Sequence, residues 1–172
     1  MPPRTDQPVE RRTLATIVDN EPGVLARVVG LFSARGYNIE SLTVAETDRA
    51  SHQSRITIVT SGQALIIDQI KAQLERIVSV HRVIDVTQDP AGVQRELALI
   101  KVRSEGAQRI EALRVSEIFR AKVIDTTLVS FIFELTGAPE KIDAFTDLMR
   151  PLGLVEVSRT GVLSIQRGEG AG

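Results

Sequence analysis

Apolar positions along the chain change their spacing in a regular order. Residues 13–18, with Leu14 and Ile17, read as a strand. Residues 22–35 carry Leu25, Val28, Val29 and Phe32 at the i, i+3, i+4, i+7 spacing of one helix face. Gly36 follows where a left-handed residue would stop that helix. Residues 38–47 and 54–60 read as strands joined by the polar run Thr47-Asp48-Arg49-Ala50-Ser51-His52. Residues 63–77 place Ile67, Ile70, Leu74 and Ile77 on one helical face, and residues 80–87 read as a closing strand.

The order is βαββαβ, the plan of a ferredoxin-like α+β sandwich. Gln88-Asp89-Pro90-Ala91-Gly92 then breaks the pattern. Strands follow at 95–103, 121–127, 129–136 and 153–159, with a short last one at 162–167. Helices fall at 105–119 and 138–150. The fold class expected is therefore α+β, two ferredoxin-like βαββαβ domains without clear sequence identity between them. The boundaries expected are a disordered tail at 1–12, a first domain at 13–87, a linker at 88–94 and a second domain at 95–168. Each half has about 75 residues, a size at which one core is marginal. A four-stranded sheet of this plan also leaves two open edges. Both points favour a dimer joined edge to edge.

Composition narrows the class. Apolar residues make up 42% and charged residues 25% of the 172, with a formal net charge of −1. No polyanion or anionic membrane is favoured by that balance. There is no Cys, which excludes disulfides, thiolate nucleophiles and Cys-ligated zinc. His52 and His81 read as a solvated loop residue and a partly buried strand residue, and no metal site is expected. The N-terminus has no apolar core of a secretory signal, and no run approaches the ~20 apolar residues of a membrane span. A cytoplasmic location is the expectation.

Candidate chemistry lies in Asp19-Asn20-Glu21-Pro22-Gly23-Val24-Leu25, between the first strand and the first helix. Glu21 or Asn20 is placed to cap the helix, and Pro22 suits its first turn, where a missing N–H costs nothing. Gly23 leaves the first free N–H groups uncovered by any side chain. Bare N–H groups at a helix start can receive a carboxylate. Asn20 adds a neutral amide, and Asn38 opens the next strand with a second. Beside Val24, Leu25 and Ile39 these groups suit a small apolar amino acid. The local alternative is an Asx turn and an ordinary cap.

Asn20-Glu21-Pro22-Gly23-Val24-Leu25, with Val29-Gly30-Leu31-Phe32-Ser33 and Arg35-Gly36-Tyr37-Asn38-Ile39-Glu40-Ser41-Leu42, resembles the ACT domain of the acetolactate (acetohydroxyacid) synthase small, regulatory subunits. Arg95-Glu96-Leu97-Ala98-Leu99-Ile100-Lys101-Val102, Ile118-Phe119-Arg120-Ala121-Lys122-Val123-Ile124-Asp125 and Ser158-Arg159-Thr160-Gly161 look like the second half of the same family. The resemblance implies an ACT domain followed by a C-terminal regulatory domain, with two ACT domains side by side in one sheet. It implies a separate catalytic large subunit that carries thiamine diphosphate, magnesium and FAD, with no cofactor in this chain. That subunit joins two 2-oxo acids with loss of carbon dioxide, on the route to valine, leucine and isoleucine. The resemblance also implies activation of that enzyme and feedback inhibition by a branched-chain amino acid, most often valine. The helix start at Gly23, Val24 and Leu25 would hold the effector carboxylate. Asn20 and the partner's Asn38 would hold its polar groups, and Ile39 would line its side-chain pocket.

Other readings have less behind them. Where the first half has its loop, the second has Arg103-Ser104-Glu105-Gly106-Ala107-Gln108, with no apolar wall for an amino acid. Glu40, Glu46 and Asp48 read as surface charge. An RNA-binding sandwich needs aromatic platforms and a basic face, and this chain has five Phe, one Tyr and no Trp. No nucleophile–base–orienter set marks a stand-alone enzyme. The alternative kept open is an ACT-domain sensor serving another enzyme or transcription.

Overall fold

The computed structural model describes residues 8–169, which divide into two compact units. The first contains β1 (Glu10–Asp19), α1 (Val24–Arg35), β2 (Ser41–Asp48), β3 (Gln53–Gly62), α2 (Ala64–Glu75) and β4 (Val80–Asp85). Its sheet has the order β2-β3-β1-β4, with every neighbouring pair antiparallel. Leu14, Val18, Ile56 and Ile58 from the two central strands meet Val24, Val28 and Phe32 of α1 and Ile67, Ile70 and Leu74 of α2. Fully burying such a side chain contributes about 1.5–3 kcal/mol, so this one layer of contacts holds the helices to the sheet.

Helix α1 ends as its sequence suggests. Gly36 adopts φ 67°, and its N–H reaches the carbonyls of Phe32 and Ser33. Tyr37 N–H also donates to Phe32 O at 2.9 Å, and the two rings meet edge to face at 6.1 Å. The buried stripe, however, runs through Val24, Val28 and Phe32, while Leu25 is 41% exposed.

The second unit repeats the plan. It comprises β5 (Gly92–Arg103), α3 (Gly106–Phe119), β6 (Lys122–Thr126), β7 (Ser130–Gly137), α4 (Pro139–Met149), a 3-10 turn (Arg150–Leu152) and β8 (Leu154–Arg159). The strand order β6-β7-β5-β8 reproduces that of the first sheet, and a short β9 (Leu163–Gln166) pairs with β5. Ala98, Ile100 and Val102 alternate inward along β5 and pack against Phe131, Phe133, Phe145, Ile142 and Met149. Phe145 stands edge to face on Phe133 at 5.8 Å and lies 5.4 Å from Phe119. Two βαββαβ units with these sheets are the α+β architecture expected.

Boundaries differ from the expectation in three places. Strand β1 begins at Glu10, so Glu10, Arg11 and Arg12 are strand rather than tail. They face Gly62, Ser61 and Thr60 of β3, and Arg12 is ion-paired to Glu10 and Asp85. Residues 1–7 of the expected tail lie outside the described residues. The linker is shorter than 88–94, because β5 starts at Gly92. Asp85 accepts from the N–H groups of Thr87 and Gln88, and Asp89 accepts from Ala91 N–H, so this connection is a pair of side-chain-closed turns. The chain from Ser164 groups with the first unit rather than the second. There Gln166 Nε2 donates to Asp89, and Arg167 N–H donates to Ala91 O at 2.9 Å.

Candidate functional site

The loop between β1 and α1 is held at both sides by backbone bonds. Asp19 N–H donates to Ser79 O at 2.9 Å, and Asn20 N–H donates to His52 O at 2.7 Å. Gly23 then takes φ 88°, ψ −9°, and becomes the residue before the helix. That left-handed conformation is strained for any residue with a Cβ. A Cβ built there would meet nothing within 4 Å, so the loop is open above Gly23.

The helix therefore starts at Val24 rather than at residue 22, and Pro22 lies outside its first turn. Neither Asn20 nor Glu21 caps it: no side chain bonds the helix start, and its first turn has no acidic residue. Val24 N–H makes only a long bond to Glu21 O, at 3.4 Å, and Gly23 O receives Arg27 N–H at 3.0 Å. The N–H groups at this end are thus left to a ligand or to solvent. Together with the helix dipole they favour an anion.

Asn20 is turned elsewhere. Its Nδ2 donates to Glu46 Oε1 at 3.3 Å, across from the second strand. Glu46 is also 3.6 Å from Arg49. Sequence reasoning set Glu46 aside as surface charge, yet it is the carboxylate that accepts from the loop's amide. The two residues are 26 apart in sequence, and only the β2–β3–β1 pairing brings them together. His81 differs in a similar way. It is exposed rather than partly buried, and its Nε2 lies 2.6 Å from Asp19 Oδ1.

The remaining candidates separate. Leu25 is exposed beside the loop, while Val24 is 3% exposed and belongs to the core, so its side chain is no pocket wall. Asn38 precedes β2 instead of opening it, and its carbonyl accepts from Thr60 Oγ1 at 2.6 Å. Its amide is exposed and has no hydrogen bond among the described residues. Ile39 is half-buried against the core. Asn38 and Ile39 lie beyond the far end of α1 from Gly23. A helix of 12 residues spans about 18 Å. One protomer therefore does not bring Asn20 and Asn38 together.

Among the described residues no group of three or more His, Asp or Glu side chains could hold a metal ion. No helix there is long and apolar enough to cross a membrane.

Residues 14–82 match the model of the AHAS small subunit-like ACT domain, and residues 95–168 match that of the small subunit of acetolactate synthase. The chain belongs to the acetolactate synthase small-subunit family. It is 44% identical over 158 residues to a probable acetolactate synthase small subunit of Archaeoglobus fulgidus, covering 92% of this chain and 98% of that one. It is 46% identical over 160 residues to the acetolactate synthase isozyme 3 small subunit of Salmonella typhimurium, covering 92% and 97%. The crystal structure of the small subunit from Thermotoga maritima superposes with a TM-score of 0.79 at 36% identity, covering 94% of this chain and 99% of that one.

Proposed function

We propose that this chain is a non-catalytic regulatory subunit. It would bind a catalytic large subunit of acetolactate synthase in the cytoplasm and carry feedback by a branched-chain amino acid, valine first among them. Thiamine diphosphate, magnesium and FAD would belong to the large subunit. The observation that supports an effector role is the uncapped start of α1, opened by a left-handed Gly23 beside the Asn20 amide.

On this reading the N–H groups at Gly23, Val24 and Leu25 receive the effector carboxylate. Asn20 and the partner's Asn38 hold its polar groups, and Leu25 and Ile39 flank its side chain. Because Asn38 and the loop lie at opposite ends of α1, the complete site needs two copies of the chain. Effector binding then favours one arrangement of the pair, and the large subunit feels that preference as a coupling free energy.

The test is reconstitution with the large subunit and titration with valine. Gly23→Asp should remove inhibition while leaving much of the activation, since its carboxylate would occupy the same N–H groups. Asn38→Ala should weaken inhibition by the equivalent of about 1.5–3 kcal/mol, the loss of one hydrogen bond to a charged group. Unchanged inhibition curves for both variants would overturn the assignment of the loop.

A further inference from the structure

The second sheet has one face under its helices and one open. On the open face Leu99 and Lys101 of β5, Ile132 of β7, and Glu156 and Ser158 of β8 line a groove of about 200 Å³. The register explains why these five meet. Lys101 stands opposite Ile132 on one side and opposite Glu156 on the other, and Leu99 stands opposite Ser158. The strand residues between them, Ala98, Ile100 and Val102, point to the core.

Two features separate this groove from ordinary sheet surface. Lys101 and Glu156 are direct cross-strand neighbours of opposite charge, a placement that normally yields an ion pair. Yet among the described residues neither side chain has an ion pair or hydrogen bond, whereas nearby Lys122 and Glu134 lie 3.8 Å apart. The β5–β8 register also shifts just past Lys101, leaving Val155 as an extra residue beside Glu156. Bulges of this kind re-aim neighbouring side chains. The result is an exposed cation and an exposed anion, not paired with each other, at one small groove whose floor is Leu99 and Ile132.

We propose that this groove binds the zwitterion of a small aliphatic α-amino acid, at a site separate from the loop of the first unit. Lys101 takes the carboxylate, Glu156 takes the ammonium with Ser158 as a further acceptor, and Leu99 and Ile132 receive a branched side chain. A volume of about 200 Å³ holds roughly seven waters at ~30 Å³ each. That is room for an amino acid with a short branched side chain. Because both charges are exposed, binding is weak, on the order of millimolar.

The experiment uses the full chain carrying Gly23→Asp, which blocks the loop, with labelled Leu and Ile methyl groups. L-leucine is titrated and the Leu99 and Ile132 methyl resonances are followed by NMR. Both should shift and saturate in the millimolar range. Lys101→Met and Glu156→Gln should each weaken the response about two- to fivefold, the effect of losing one exposed ion pair. Isovalerate and isobutylamine, which each carry one of the two charges, should bind weaker by a similar factor. Leu99 and Ile132 methyls that stay still would overturn the proposal, as would shifts indifferent to both substitutions or an isovalerate response equal to that of leucine. The loop is read separately from the Leu25 and Ile39 methyls of the unsubstituted chain with valine, so either site can fail alone.

Discussion

Removing the Arg159 side chain should destabilise the second unit more than any other change to a charged residue there. Arg159 grips Glu96 with two bonds, Nε to Oε1 at 2.7 Å and Nη2 to Oε2 at 2.6 Å, and reaches Asp143 with Nη1 at 2.6 Å. It thereby ties β8 to β5 and to α4. Glu96 is only 4% exposed, while Arg159 is about one-third exposed and Asp143 nearly half. In Arg159→Met, Asp143 is simply hydrated, but Glu96 remains as a buried carboxylate with its cation gone. Breaking a fully buried pair this way costs 3–5 kcal/mol. The partial exposure of Arg159 puts the figure at the lower end, about 3 kcal/mol. For a chain of this length that is a fall in Tm of roughly 6–12 °C. The double variant Arg159→Met, Glu96→Met leaves no uncompensated charge and should regain at least about 1 kcal/mol relative to the sum of the single variants. Calorimetric melting of the four proteins measures the cycle. An Arg159→Met variant that melts within about 2 °C of the parent would refute the reasoning, and so would single effects that add without coupling.

Two further outcomes follow from backbone space and from titration. Gly153→Ala should cost about 3 kcal/mol or more, because Gly153 holds φ 100° and a Cβ there would fall 1.9 Å from Arg103 O. Its melting curve, compared with that of Gly30→Ala, where a Cβ meets nothing within 4 Å, checks the claim. The carboxyls of Glu40 and Asp89 both titrate below their ordinary range. The Ser61 hydroxyl, helped by Arg11, lowers Glu40, and the Gln166 amide, with Ala91 N–H, lowers Asp89. A depressed carboxyl adds stability above its unfolded pKa of about 4 and loses it as pH falls through the folded value. These two carboxyls should therefore keep their contribution through the neutral range and lose it below about pH 4, with a shallower acid limb of Tm in Glu40→Gln and Asp89→Asn. An unchanged acid limb in both variants would contradict the assignment. Arg159, raised by its bonds to Glu96 and Asp143, stays charged throughout and adds no slope there.

Much of the fold is legible because the two periodicities alternate cleanly. The α2 stripe of Ile67, Ile70 and Leu74 is buried as its spacing suggests, and Gly36 stops α1 where a left-handed residue was expected. The phase of α1 is not legible in the same way. Val24 and Leu25 are adjacent and both apolar, so spacing alone permits either to face the core. The left-handed turn at Gly23 sets the entry angle and gives the place to Val24. The start of β1 is hidden for another reason. Glu10-Arg11-Arg12 looks like solvated tail by composition, and only pairing with β3 and the ion pair to Asp85 on β4 make it strand.

The candidate site shows the same division more sharply. Which residues the loop contains can be read locally, but what each does depends on strands far away in sequence. Asn20 looked like a cap; the ladder puts Glu46 beside it, and the cap is left empty. That vacancy matters for regulation. A helix start already satisfied by its own side chain would gain little from a ligand carboxylate, since one bond would merely replace another. A start left to solvent gives up only water and gains the charge–dipole attraction, and Asn38 cannot complete the site from the far end of its own α1. On the proposed reading, effector affinity is therefore tied to how two chains are placed, not to the conformation of one. A substitution that loosens the pairing of two copies should weaken the effector without touching the loop, and by linkage the effector should tighten that pairing by the same factor.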